Sequence, residues 1–177
     1  MPTLPVQPSP AAPNTRLEAA AEGGAGGQMA IYYQPIYSLR DELVVSVEAL
    51  VRWRLDSGLV LGAAQVLAAA DSPEDCLTLD LAVLRQASAD MVVLLDEHRD
   101  AGLHGLNVNL TASSLVNPGL DIAVLQVLEE TGLPPTSLRL EVPETAALTE
   151  LTRATAVLRR LTAAGIALTL DDVGVQA

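Results

Sequence analysis

The chain of 177 residues contains no lysine and no phenylalanine, and its single cysteine is Cys76. One cysteine excludes a disulfide within the chain and is typical of a reducing compartment, so we expect a cytoplasmic location. Its ten basic residues are all arginines, and they face 22 acidic residues, which gives a formal net charge of -12. So acidic a chain argues against nucleic acid or an anionic membrane as its main partner.

Long apolar runs are also missing. The apolar stretch of residues 79–95 is interrupted by Asp80, Arg85 and Asp90, whereas a membrane span needs about 20 apolar residues, so we expect a partly buried helix. Residues 1–15 lack the basic start and apolar stretch of a signal peptide. They are instead rich in proline and alanine, which predicts a disordered arm before one domain formed by residues 16–177.

The remaining pattern predicts an α/β domain. Residues 31–39 and 43–53 are predicted to form a β-hairpin, and helices are predicted over 63–70 and 74–99. From residue 106 onward strands and helices alternate, with strands at 106–110, 137–142 and 166–171 and helices ending near 132 and 164. Successive strands lie about 30 residues apart, the size of a βαβ unit, which predicts a parallel sheet or part of a (β/α) barrel.

Polar side chains mark the carboxyl ends of these three strands. Because side chains alternate along a strand, Asn109, Glu141 and Asp171 are expected on corresponding faces. Taken singly, each acidic residue is more often a solvated strand end. Together they offer the oxygen ligands that Mg²⁺ and Mn²⁺ prefer, and the adjacent Asp171 and Asp172 could serve two ions.

Five short blocks occur in order along the chain: Tyr33-Gln34-Pro35-Ile36, Glu48-Ala49-Leu50-Val51-Arg52-Trp53, Asn107-Val108-Asn109-Leu110, Glu141-Val142-Pro143-Glu144 and Asp171-Asp172-Val173-Gly174. Their residues and spacing resemble those of the EAL-domain family, over about residues 16–174. The resemblance implies a TIM-like (β/α) barrel. It also implies a relation to metal-dependent phosphodiesterases that hydrolyse cyclic-di-GMP to linear pGpG.

The resemblance also implies roles for individual residues. The implied ligands of Mg²⁺ or Mn²⁺ are Glu48, Asn109, Glu141, Asp171 and Asp172. The implied contacts to the dinucleotide are Gln34, Leu50 and Arg52, although Arg52 is also compatible with a surface ion pair. Asp172 would serve the second metal and its water during catalysis, and Glu144 would steady the loop that follows the Asp-Asp block. Trp53 is expected to pack beside the site, and His98 and His104 are expected at the surface.

The chain also departs from the family pattern. Family members continue through a glycine-rich loop and further strands and helices, which supply a catalytic lysine, another metal-site glutamate and a late glutamine. The expectation is therefore roughly the N-terminal half of a barrel that is inactive alone, with the edge of strand 166–171 open to self-association or a partner protein. The alternatives are a working enzyme, a non-catalytic module that binds cyclic-di-GMP or a protein, and the product of an interrupted gene.

Overall fold

The computed structural model describes residues 27–98 and 101–171, without the side chains of residues 144–153. The expected disordered arm and Asp172 lie outside the described residues. The strands are β1 (Gly27–Ser38), β2 (Leu43–Leu55), β3 (Val60–Leu61), β4 (Gly105–Asn109), β5 (Leu138–Pro143) and β6 (Ala167–Asp171). The helices are α1 (Ala63–Leu67), α2 (Pro73–Glu97), α3 (Ala112–Leu115), α4 (Leu120–Thr131) and α5 (Glu144–Ala163).

The strands form one sheet in the order β1-β2-β4-β5-β6, with β3 paired to β2. The pairs β1–β2 and β2–β3 are antiparallel, whereas β2–β4, β4–β5 and β5–β6 are parallel. Each parallel pair is joined through helical segments, as parallel strands require. The fold is thus mixed α/β, and its run of parallel strands with intervening helices corresponds to part of a TIM-like barrel.

Alternation along the strands separates an apolar face from a polar one. In β2, Val47, Ala49, Val51, Trp53 and Leu55 are all buried. In β4 and β5 the same face carries Leu106, Val108, Leu138, Leu140 and Val142, each at most 3% exposed. This face joins α2, α4 and α5 in one hydrophobic core. The opposite face of the sheet carries most of the charged and amide side chains and is more open to solvent.

Helix ends are set by local chemistry. The Ser72 hydroxyl accepts a hydrogen bond from the backbone N–H of Asp75 and Pro73 occupies the first turn, which is a favoured start for α2. Helix α4 ends at Gly132, whose φ of 78° is a left-handed conformation that glycine adopts without strain. The next strand can therefore begin close to the helix that precedes it.

The sequence predicted each main element, with shifts of a few residues at the ends. The predicted hairpin is confirmed, and its second strand extends to Leu55. Short elements were not predicted: β3, α3 and a 3-10 turn at Pro135–Ser137. They are too short to show a hydrophobic period, and tertiary contacts decide them.

Among the described residues, no helix combines the length and the hydropathy that a bilayer crossing needs.

Candidate functional site

The candidate site lies on the polar face of the sheet, across β2, β4, β5 and β6. In the parallel register, Glu48 of β2 lies opposite Asn107 of β4, and Asn109 lies opposite Glu141 of β5. Asp171 pairs with Pro143, two positions beyond Glu141 on the same face. The strands therefore bring Asn109, Glu141 and Asp171 to one face near their carboxyl ends, as the alternation of side chains predicted, and Glu48 lies on the same face in the middle of β2.

Asn109 is joined to Glu48 by a hydrogen bond between neighbouring strands. Its side-chain Nδ2 donates to Glu48 Oε1 over 2.9 Å. Both side chains are half-buried. Because the Asn109 amide is used as a donor, its carbonyl oxygen Oδ1 remains available as an acceptor or a metal ligand.

A second amide–carboxylate pair joins Asn107 to Glu141. Asn107 Nδ2 donates to Glu141 Oε1 over 2.6 Å, and Asn107 is only 3% exposed. Burial raises the pKa of the Glu141 carboxyl, the Asn107 hydrogen bond opposes that rise, and the negative charges of Glu48 and Asp171 add to it. The three carboxyl groups therefore interact electrostatically, which favours a cation between them.

The other predicted site residues are Asp171, Glu144 and Asp172, and the structure describes them only in part. Asp171 is half-buried at the end of β6. Glu144 is the first residue of α5, directly after β5, and its side chain is not described. The prediction for Asp172 falls outside the described residues, so the roles of Glu144 and Asp172 stay predictions.

The proposed dinucleotide contacts lie on the same face, toward β1. Gln34 is exposed and pairs with Glu48 across the antiparallel hairpin. The Arg52 guanidinium lies over the ring of Tyr32, 5.7 Å from its centroid, and its Nη1 donates to the carbonyl oxygen of Val51 over 2.8 Å. Cation–π contact and this hydrogen bond hold the guanidinium on the open face of the sheet. Leu50, half-buried, separates Arg52 from Glu48 along β2.

A buried carboxylate supports the site from behind. Asp80 of α2 is 5% exposed and accepts hydrogen bonds from the backbone N–H and the hydroxyl of Thr111, each at 2.8 Å. Thr111 follows Asn109 by two residues and caps α3. Burial raises the pKa of the Asp80 carboxyl, and its bonds to Ser114 and Thr111 act against that rise. Asp80 thus fixes the turn at which the chain leaves the site.

The donor set fits a hard divalent cation in chemistry and charge. Carboxylate and amide oxygens of Glu48, Asn109, Glu141 and Asp171 are the ligands that Mg²⁺ and Mn²⁺ select. These ligands do not form a complete coordination shell, because among the described side chains (residues 27–98, 101–143 and 154–171) no three His, Cys, Asp or Glu residues lie close enough together to hold a metal ion. The described residues therefore provide an open set of ligands.

Two residues that matter to this geometry were not among the predicted site residues. Asn107 shares the face of Asn109, so the alternation of β4 could have indicated it. Asp80 is an acidic residue inside an otherwise apolar helical run, which is the sequence signal of a buried, hydrogen-bonded carboxylate. His98 and His104 are both exposed, as expected. Trp53 is a buried packing residue, as expected, but it lies on the apolar face of the sheet and not on the face of the site.

A surface groove of about 670 Å³ lies at the other end of the strands, between the ends of α2 and α4. Val93, Leu103 and Pro134 are among its lining residues. None of the predicted site residues lines it, so this groove is separate from the candidate site.

Known proteins resemble this chain over most of its length. The family model described as the EAL domain matches residues 16–177. The cyclic di-GMP phosphodiesterase NbdA of Pseudomonas aeruginosa is 36% identical over 149 residues, which are 83% of this chain and 18% of that protein. The chain spans about half the length of the first curated relatives it matches, 48% of a Mycobacterium tuberculosis protein that is 33% identical over 149 residues.

Solved structures show the same fold. The PaMucR phosphodiesterase in complex with c-di-GMP has a TM-score of 0.76 and 29% identity, covering 83% of this chain and 59% of that one. The manganese and cyclic-di-GMP complex of Klebsiella pneumoniae BlrP1 has a TM-score of 0.66 and 28% identity, covering 85% of this chain and 38% of that one. With the family model matching all but the first residues of the chain, the protein belongs to the EAL-domain family.

Proposed function

We propose that the polar face of β1, β2, β4, β5 and β6 is a cyclic-di-GMP site of the phosphodiesterase type, assisted by Mg²⁺ or Mn²⁺. The observation that carries this proposal is the pair of amide–carboxylate hydrogen bonds, Asn109 to Glu48 and Asn107 to Glu141, beside Asp171. They collect oxygen ligands at the strand ends, where barrel enzymes bind their substrates. The related phosphodiesterase and c-di-GMP complexes support the choice of dinucleotide.

The residues of β1 and β2 suit the dinucleotide itself. Arg52 presents a planar guanidinium that matches the geometry of a phosphate, and its contact with Tyr32 limits the conformations that it must lose on binding. Gln34 offers an exposed amide on β1 opposite Glu48, and Leu50, between Glu48 and Arg52 on β2, supplies apolar surface for a base or sugar. These assignments extend the role that the sequence predicted for the three residues.

The carboxylates of β2, β5 and β6 suit the scissile phosphodiester. A divalent cation bound there would neutralise phosphate charge and lower the pKa of a bound water. Glu48 and Glu141 would each contribute an oxygen, and Asn109 its free Oδ1. Asp171 would balance the charge at the outer side of the site, and Asp172 remains the proposed partner of the second ion and its water.

We expect these 177 residues alone to bind the dinucleotide without hydrolysing it. The described acidic groups do not close around a metal ion, and loss of one preorganised catalytic group costs roughly 10²–10³ in rate. The chain also contains no lysine to serve at the site. Recognition can still draw on Arg52, Gln34 and the apolar surface of Leu50.

Calorimetry and a turnover assay on the same preparation test this function. The purified chain is titrated with cyclic-di-GMP in the presence of Mn²⁺, and pGpG is followed by chromatography. We expect saturable heat that Arg52→Ala weakens, and no pGpG above the level of a Glu48→Ala control. Absence of binding by the folded chain would contradict the proposal, whereas turnover that depends on Glu48 would contradict its inactivity.

An interaction role is favoured by a separate observation, the open edge of β6. Among the described strands β6 pairs only with β5, and Leu170 is 49% exposed there. An unpaired strand edge can pair with another chain, and we propose that a second copy of this protein pairs with the edge of β6. Sedimentation should show association that rises with concentration and that Leu170→Lys reduces. A monomer at all concentrations would exclude this role.

A further inference from the structure

Asn107 is a buried polar residue that packing of the core does not explain. It is 3% exposed, and its neighbours in β4, Leu106 and Val108, are 0% exposed. Burying an amide carries a desolvation cost unless its groups are hydrogen-bonded. A leucine, which has the same number of side-chain heavy atoms and the same branching, would avoid that cost, so the presence of asparagine calls for a reason other than packing.

The strand register shows where the amide is directed. Asn107 lies directly opposite Glu48 on one side and Arg139 on the other. Its Nδ2 reaches instead diagonally to Glu141, while Asn109, which lies opposite Glu141, donates to Glu48. The two amides of β4 therefore serve opposite strands, and each fixes one carboxylate through its Oε1 atom.

The bond to Glu141 has the geometry of a positioning contact. Nδ2 donates directly to Oε1 over 2.6 Å, and a hydrogen bond to an ionised acceptor is stronger than one between neutral groups. No other described side chain donates a hydrogen bond to Glu141, so Oε2 is left for another partner. Groups that orient a ligand in this way are commonly worth 10–100-fold in metal affinity or activity.

We propose that Asn107 is a positioning residue that fixes Glu141 for binding of a divalent cation at the cyclic-di-GMP site. The proposal rests on the proposed function, because it assigns Glu141 to a cation. Asn107 touches neither substrate nor cation. It acts by holding Oε1 of Glu141, so that the carboxylate is already ordered when the cation arrives and loses less rotamer freedom on binding.

A metal titration of the full chain tests the proposal. Free Mn²⁺ is measured by electron paramagnetic resonance for wild type, Asn107→Leu, Glu141→Gln and the double variant. We expect Asn107→Leu to raise the Kd for Mn²⁺ by about 10–100-fold, the range found for such orienting residues. The double variant should bind no more weakly than Glu141→Gln, since without the carboxylate the amide has nothing to position. An unchanged Kd in folded Asn107→Leu would overturn the proposal.

Asn117 provides the matched control. It lies on the loop before α4, where its Oδ1 accepts a hydrogen bond from the backbone N–H of Gly119 at 3.0 Å. Asn117→Leu also replaces a bonded asparagine by leucine, so it reproduces any general effect on stability. It should leave the Kd for Mn²⁺ unchanged, and an equal loss in both variants would mean that Asn107 has only a structural role.

A metal-free measurement separates failure of this proposal from failure of the proposed function. The ¹³Cδ resonance of Glu141 at fixed neutral pH should move in Asn107→Leu and stay in place in Asn117→Leu. If the wild type bound no Mn²⁺ but the resonance moved, the assignment of a cation to the site would be wrong, whereas the control of Glu141 by Asn107 would be correct. If the resonance did not move, Asn107 would not control Glu141 and the proposal would be overturned.

Discussion

Asp80 of α2 and Thr111, the residue that caps α3, are joined by two hydrogen bonds of 2.8 Å to a single carboxylate oxygen. This contact ties a helix on the apolar side of the sheet to the turn that follows Asn109. The geometry of the candidate site thus depends on a residue that lies behind the sheet. A substitution of Asp80 should therefore change both the stability of the fold and the geometry at the end of β4.

Removing the Asp80 carboxylate should destabilise the protein. Asp80→Ala leaves the Thr111 N–H without its buried acceptor, and an unsatisfied buried group costs about 1–3 kcal/mol. Chemical denaturation should show this loss in the free energy of unfolding. Asp71→Ala, at an exposed position near the start of α2, serves as control and should change it by less than about 0.5 kcal/mol. Equal effects at both positions would contradict the role of Asp80.

The raised pKa of Asp80 predicts a particular dependence on pH. Because burial raises its folded pKa above the ordinary value of 3.8, the proton binds more tightly to the folded than to the unfolded protein. The contribution of Asp80 to the free energy of unfolding is therefore most favourable below pH 3.8 and is lost as the pH rises through the folded pKa. The unfolding free energy of wild type minus that of Asp80→Asn should fall over this window and then level off. A difference that rises with pH would have the wrong sign.

Asp121 predicts the opposite dependence. Its carboxylate, 3% exposed at the start of α4, pairs with Arg160 of α5, whose Nη2 donates to Oδ1 at 3.1 Å. The Arg160 hydrogen bonds lower the pKa of Asp121, so its contribution is present above pH 3.8 and is lost as the pH falls through the lower folded pKa. Arg160→Met should keep much of the side-chain packing but remove the fall in the free energy of unfolding that the wild type shows at acid pH. Thermal unfolding between pH 2 and pH 5 would show whether the two profiles differ.

The electrostatic coupling inside the candidate site can be measured without metal. Glu48→Gln keeps an oxygen that can accept from Asn109 but removes a negative charge that raises the pKa of Glu141. The Glu141 pKa, followed by ¹³C resonance, should therefore fall. Arg139→Gln removes a positive charge that lowers the same pKa, so it should move the value upward. Shifts in the same direction would show that the two charges do not act on Glu141 directly.

The core behind the site should be sensitive to lost volume. Leu140 of β5 is 0% exposed and lies between the flanking strands β4 and β6. Leu140→Ala removes buried apolar atoms and leaves a cavity, which costs about 2–5 kcal/mol. Ile122 of α4 is 68% exposed, so Ile122→Ala is the matched control with little expected effect on the unfolding free energy. A loss below about 1 kcal/mol at Leu140 would indicate that the core rearranges to fill the space.

Most of the fold could be predicted because the chain alternates strands and helices of ordinary length. The period of the apolar residues gave β4, β5 and β6 their faces, and with them the common face of Asn109, Glu141 and Asp171. Hydrogen-bond partners could not be predicted in the same way. Nothing in the period shows that Asn107 reaches Glu141 rather than Glu48, because that choice depends on the stagger between neighbouring strands. The buried pair of Asp80 and Thr111 depends likewise on how α2 packs against the sheet.

The strict alternation in β4 has a consequence for how the site is assembled. A slip of one residue in the register of β4 would exchange its two faces. Leu106 and Val108 would then point into the site, and both asparagines would be buried in the core without their carboxylates. An intermediate arrangement is not available, because the side-chain period is two residues. Correct strand pairing and assembly of the site are therefore a single event, and a chain that mispairs β4 loses its native fold and its ligands together.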